Sequence, residues 1–364
     1  MKIGRYCQLF DLEEVKNLDV GMDFRRPEYR RETFLKFYEF HLKYKAHAGA
    51  VYYIFPFIFE KYKMTNEQKL WFTFINGCSQ NVVTTFLIWL EFPNIENLNI
   101  DELSKYFRSN YTRFGWDTDR RYVKNQFEAV VQKYIKLLNG KTQEEIFAPY
   151  LVDNKYRNFD LLWSFVMNEF YLFGRLATFS YLEYLRLAGL NIDCSQLFLD
   201  DITGSKSHRN GLCKVLGRDD LDWYHNDVVY TGEVIDWLKE EGALLLQEAM
   251  GRFPHEDISY FTLETTLCCY KSWHRPNRRY PNVYNDMFHD RLKVANQNWK
   301  GSVDLSCFWD ARKKYLPRWL RLEDNPKDYG VAPTKQNHYL TTGQVIMMDR
   351  EFECFENHYN NFIS

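Results

Sequence analysis

Residues Thr65–Glu91, TNEQKLWFTFINGCSQNVVTTFLIWLE, decide the fold class. Thr65 with Gln68 three positions on has capping-box spacing, and the apolar run beyond predicts one helix that continues to Glu91 and stops before Pro93. The segments around it repeat this signal. Glu28–His47 places Phe34, Phe37, Tyr38, Leu42 and Tyr44 near a 3.6-residue period with charges between them. Thr118–Leu138 reads as a helix closed by Gly140, and Thr142 with Glu145 opens a short one by a second capping box. Phe159–Leu187 reads as one long apolar helix ending at Gly189, and Thr231–Met250 as another ending at Gly251. Strand signals are almost absent, so the expected architecture is mainly α: a compact multi-helix body without repeats or a Pro/Gly/Ser-rich linker. The tail after Asp324 is expected to form a short hairpin or to wrap that body.

Composition removes several function classes. Eight cysteines are scattered with no CxxC pair, which predicts reduced thiols in a cytosol. Cys268, Cys269 and His274 have the wrong step for a zinc knuckle, and no metal or cofactor is expected. MKIGRYCQLF is followed at once by acidic DLEE rather than by an apolar signal core. The apolar runs Ala50–Phe59 and Val82–Leu90 fall short of the roughly 20 residues a membrane span needs. Gly140–Thr142 reads GKT, but Ile135 stands where a P-loop requires glycine; GxSxG, HExxH and GxGxxG are missing as well.

Four segments carry chemistry. Asp200–Gly217, DDITGSKSHRNGLCKVLG, sets Ser205, Lys206, Ser207, His208, Arg209 and Asn210 at a glycine-flanked helix start, where freed backbone N–H groups and cations suit a phosphate. A plain turn and N-cap would use the same residues. Within Trp71–Thr85, Asn76, Gln80 and Thr84 lie four apart and are expected on one helix face, there to bond a base edge or a neighbouring helix. Phe173–Leu185, FGRLATFSYLEYL, adds Gly174, Arg175, Ser180 and Glu183. Phe261–Tyr270 puts Glu264 among three threonines, as a general base or one half of a structural ion pair.

Net charge is only −2, yet Lys271–Arg321 holds twelve basic residues against four acidic ones, a local +8. Lys271, Arg275, Arg278 and Arg279 open this stretch, and Trp273, Tyr280, Tyr284, Trp309 and Trp319 are interleaved in it. That mixture fits gripping phosphates while stacking bases, or a solvated face whose long stems cover aromatic rings.

The combination WFxFxNGxSQNxxTT, FGRxxTFSYLEYL, GSKSHRNGL and LETTLCxYK followed by RRYPxVYND resembles the helical phage family of amino-acid:DNA transferases, over roughly Phe59 to Arg291. That family is related to the alpha-glutamyl/putrescinyl thymine pyrophosphorylases and to the helical domain of 5-hydroxymethyluracil DNA kinases. The resemblance implies a helical extension over 1–58, a helical catalytic domain over 59–291, and a basic C-terminal segment and tail over 292–364 packed on the same body. It also implies a distant likeness to helix-hairpin-helix DNA glycosylases, although FGRLAT departs from the full hairpin glycine pattern.

The function implied is hypermodification of thymine in phage DNA. An amino acid, often glycine, attacks through its amine a 5-hydroxymethyluracil already phosphorylated or pyrophosphorylated, and displaces that group. Its partners are then modified DNA, a free amino acid and a 5-hydroxymethyluracil DNA kinase, in the cytoplasm of an infected bacterial host. Ser205, Lys206, Ser207 and Arg209 would hold the leaving group with His208 beside them. Glu264, or Glu183 as second choice, would be the base, and Arg175 would pair with the amino-acid carboxylate. Asn76 and Gln80 would read an extruded base while Lys271 and the Arg275–Arg279 cluster hold the backbone. A glycosylase relative, which would release a free base, and a non-catalytic module that binds modified DNA both stay open.

Overall fold

The computed structural model describes residues 27–202, 204, 206–221, 228–273 and 283–324. Its helices are α1 (Pro27–Lys43), α2 (Val51–Lys61), α3 (Asn66–Ser79), α4 (Val82–Glu91), α5 (Ile100–Ser109), α6 (Phe127–Leu138), α7 (Gln143–Phe147) and α8 (Lys155–Glu169). After them come α9 (Arg175–Leu187), α10 (Lys206–Val215), α11 (Gly232–Arg252), α12 (Tyr260–Trp273), α13 (Val283–Asn298) and α14 (Ser306–Tyr315). No strand occurs among the described residues, and no helix among them is long and apolar enough to cross a membrane. The tail beyond Asp324 lies outside the described residues.

Local signals place most helix ends. The Thr65 hydroxyl accepts from Gln68 N while Gln68 returns a bond to Thr65 N, and Thr142 with Glu145 forms the same reciprocal box. Thr231 caps α11 through Val234 N. Two long helices expected from the sequence are each divided. Residues 65–91 break at Gln80, which adopts a left-handed conformation (φ 48°), and Asn81 then caps α4 by accepting from Thr84 N. The expected stripe of Asn76, Gln80 and Thr84 therefore does not share one helix. Residues 159–187 break between α8 and α9, where Leu172 takes φ 61° and Gly174 is the N-cap. Both breaks sit in apolar surroundings that a periodicity argument reads as continuous helix. Thr118–Gln126, expected as the start of an α-helix, is instead a 3-10 segment leading into α6.

The chain divides into two compact units, each assembled from separated stretches. The first comprises 1–48, 196–289 and 312–364; the second comprises 49–195 and 290–311. In the first, Phe34, Phe37 and Tyr38 of α1 share a core with Leu212 of α10, Leu245 of α11 and Leu263, Leu267 and Tyr270 of α12. In the second, the abundant aromatics form a stack: Phe74 lies on Tyr134 with ring centroids 3.7 Å apart, and Phe170, Phe173 and Tyr181 close around them. Rings of this size bury much apolar area with few torsions to freeze.

Two histidines in the first unit give it a defined acid sensitivity. His41 and His47 are buried edge to face with centroids 5.6 Å apart. Burial lowers the His41 pKa to about 3, and burial with neighbouring positive charge takes His47 well below its ordinary value. Below pH 6.5 the unfolded chain takes up protons that the folded chain refuses, so stability is present above that pH and falls as the solution is acidified. Each histidine should cost about 2 kcal/mol at pH 5. Urea midpoints between pH 7 and pH 5 should fall steeply, and His41→Leu should flatten that slope; an unchanged slope in the variant would refute the assignment.

Candidate active site

Helices α10 and α12 meet backbone to backbone. A Cβ at Gly211 would lie 2.2 Å from the carbonyl oxygen of Leu267, so only glycine permits this approach. The side chains one turn to either side of that contact are consequently pressed together: Ser207 and His208 on α10, Glu264, Cys268 and Lys271 on α12. Positions 264, 268 and 271 follow the i, i+4, i+7 rule for one helix face. His208 Nδ1 is 3.0 Å from Glu264 Oε1, and the Cys268 thiol donates to the same oxygen at 3.5 Å. Lys271 Nζ donates to Ser207 Oγ at 2.7 Å. His208 and Lys271 are buried, at 7% and 8% exposure, yet each carries a polar group suited to chemistry.

A carboxylate oxygen only accepts, so Nδ1 carries the proton of the His208–Glu264 bond. In the neutral ring Nε2 then presents a lone pair, and Nε2 has no partner among the described residues. Burial pushes the Glu264 carboxyl up, but the bond and charge of His208, the Cys268 thiol and the Lys271 ammonium outweigh it and hold the group below the usual carboxylate range. A fixed carboxylate that orients an imidazole and stabilises its protonated form is the arrangement of a general base. The geometry thus divides the roles differently from spacing alone: the ring faces outward from the pair, and Glu264 stands behind it.

His208, Glu264 and Cys268 are also the described residues whose ligand atoms approach within 4.8 Å, as a metal ion would need. Their chemistry favours a hydrogen-bonded relay. Burial and the Glu264 charge push the Cys268 thiol well up, so it keeps its proton, and Lys271 adds a cation to the same place.

The other expected site residues fall as follows. Lys206 opens α10 and is exposed, whereas Ser205 lies outside the described residues. Arg209 is buried; its guanidinium donates to the carbonyls of Asp201 and Ile202 and stacks 4.3 Å from the Tyr230 ring, so it pins the loop ahead of α10. Asn210 is fully buried with neither amide atom partnered among the described residues. Arg175, Glu183, Asn76 and Gln80 belong to the second unit. Arg175 is the first residue of α9, Glu183 accepts from Tyr52 at 2.8 Å, Asn76 accepts from Thr85, and Gln80 donates to Ser180. Arg275, Arg278 and Arg279 lie outside the described residues. Of the later basic residues, Arg312 is buried and fork-bonded to Glu323, and Arg291 pairs with Asp117 at 3.0 Å. Sequence reading missed Cys268 and the Ser207–Lys271 pair; the 264/268/271 spacing on an apolar helix was the signal available.

Comparison with known proteins agrees with the resemblance in the motifs. The model of a family described as amino acid:DNA transferase matches residues 49–279. Over 351 residues the chain is 29% identical to a serinyltransferase of Salmonella phage ViI, covering 90% of this chain and 84% of that protein. No solved structure matches it.

Proposed function

This chain belongs to the amino acid:DNA transferase family and is a transferase acting on DNA, and from that premise we propose that it joins a small amino acid to an activated 5-hydroxymethyluracil in phage DNA. The observation that carries the reading is the paired geometry at the α10–α12 contact, a histidine oriented by a carboxylate beside a lysine held by a serine. The nucleophile bonds to the methylene carbon, the carbon–oxygen bond to phosphate or pyrophosphate breaks, and its electrons leave with that group. Lys271, Ser207 and the exposed Lys206 meet the growing negative charge, where cations and donors lower the barrier most. His208 Nε2 takes the proton of the nucleophile. Because the phage ViI relative is a serinyltransferase, serine is the first donor to try, ahead of glycine. Serine offers an amine and a hydroxyl, and either must shed a proton to a base. A 5-hydroxymethyluracil DNA kinase would install the leaving group in this reading; the missing P-loop glycine means only that the chain itself does not carry out ordinary Walker-type phosphorylation.

Digestion to nucleosides and mass spectrometry test this directly, on DNA carrying 5-pyrophosphorylmethyl-uracil or its monophosphate incubated with the protein and mixed amino acids. A new nucleoside heavier than 5-hydroxymethyl-deoxyuridine by one amino-acid residue is the expected product, and its fragmentation identifies the donor and the attacking atom. Unchanged DNA under tight binding, or released free base, would instead support the binding-module or the glycosylase reading.

A further inference from the structure

Nitrogen, oxygen and sulfur donors converge at the α10–α12 contact, entirely within the first unit. His208 Nδ1, a Glu264 carboxylate oxygen and Cys268 Sγ all lie within 4.8 Å of one another, with Nδ1 3.0 Å and Sγ 3.5 Å from Glu264 Oε1. Tetrahedral zinc, with bonds of about 2.0–2.3 Å, sets its ligand atoms about 3.3–3.8 Å apart. The two short separations are already near that range, and the third exceeds it by no more than about 1 Å. Glu264 and Cys268 stand one turn apart on α12, and the Gly211–Leu267 contact fixes their distance from His208. The Glu264 side chain is 14% exposed and Cys268 is partly exposed, so an ion can reach the group from solvent.

We propose that His208 Nδ1, Glu264 and Cys268 form an inhibitory site for a thiophilic divalent cation, zinc foremost, which disables the histidine by changing its tautomer. The donor set selects the class of ion. One thiolate, one imidazole and one carboxylate suit zinc, cobalt or cadmium, whereas magnesium and calcium want oxygen ligands throughout. The Lys271 ammonium acts on both Glu264 and Cys268, so an ion held by charge alone is repelled and one that bonds sulfur is needed. Without the ion the Cys268 thiol keeps its proton, and His208 carries its own on Nδ1, donated to Glu264. On binding, the S–H bond breaks, its proton passes to solvent and sulfur bonds the metal. Nδ1 also gives up its proton and bonds the metal through the freed lone pair, while Nε2 takes up a proton in exchange. One proton is released per ion, and a fourth position is left for water. A neutral ring has one N–H, so Nε2 then donates and no longer accepts. The lone pair that receives the nucleophile's proton is gone. The metal site stands apart from the transferase reading, and the inhibition rests on it.

Cobalt(II) is the probe, on the full chain freed of metal by a chelator. One equivalent should give the visible bands of tetrahedral cobalt and a near-ultraviolet thiolate-to-cobalt charge-transfer band, both erased by zinc and untouched by excess magnesium. Cys268→Ser should remove the charge-transfer band and weaken binding by about 100-fold or more, since losing even an outer partner of a metal ligand costs about 10–100-fold. His208→Asn, which removes the imidazole ligand, serves where the serine variant does not fold and should weaken binding to the same degree. Nitrogen-15 NMR of labelled histidine should show the His208 proton on Nδ1 without zinc and on Nε2 with it. In transfer to modified DNA, zinc should inhibit and a chelator should restore the rate, and Cys268→Ser should need about 10-fold more zinc or above to halve its own metal-free rate. No thiolate band with cobalt in excess, a wild-type band in folded Cys268→Ser, an unchanged tautomer, or full transfer with zinc bound overturns the proposal. The expected bands and tautomer with no transfer by any metal-free form would leave the site standing and remove the transferase reading instead.

Discussion

Replacing His208 by asparagine should slow transfer by about 10²–10⁴-fold, the range general acid–base catalysis supplies, while DNA binding stays within about twofold. The reasoning is geometric. Asparagine can still donate to Glu264, which it must, because a buried carboxylate stripped of a donor costs about 1–3 kcal/mol in stability. It has no lone pair of the right basicity at the Nε2 position. Glu264→Gln tests the other half: the amide oxygen can accept from Nδ1, so the ring stays oriented, but the charge that favours the protonated imidazole is gone. That variant should lose about 10²-fold in kcat with KM nearly unchanged. Single-turnover rates with mass-spectrometric readout, with circular dichroism to show an intact fold, decide the matter. Wild-type rates in either variant would remove that residue from the site.

The second large effect is structural. Gly211→Ala places a methyl 2.2 Å from the Leu267 carbonyl oxygen and 2.7 Å from its carbon, against backbone that cannot rotate away. Helix propensity alone argues for a gain of up to about 1 kcal/mol from this substitution. The clash should reverse that sign, with a loss of about 3 kcal/mol or more as α10 and α12 are forced apart. Separation by even an ångström takes His208 Nδ1 and Glu264 beyond bonding distance, so activity should fall further than stability accounts for. Gly251→Ala on α11 is the control: nothing lies within 4 Å of its Cβ, and it should be neutral or slightly stabilising. Equal melting temperatures for the two variants would contradict the close-packed seam.

A buried imidazole whose Nε2 has no partner among the described residues is a cost that a proton delivered to that nitrogen would offset. His208 lies within residues 49–279, the span matched by the family model.

By itself the sequence determined the helical class, most helix starts, the absence of a P-loop and, through four short motifs, the family. These are local properties, set by the three-residue spacing of a capping box or by residue types within one turn, and they are read without knowing what the segment packs against. Tertiary structure decided where apolar runs break, at Gln80 and Leu172, because the cost of a left-handed residue is met by contacts distant in sequence. It also decided the partners of the site. His208 and Glu264 are 56 positions apart, and nothing between them announces that a glycine at 211 brings the two helices into contact. A side chain's chemistry belongs to its type, but its role depends on which donor or acceptor faces it, and that is settled only when the helices pack.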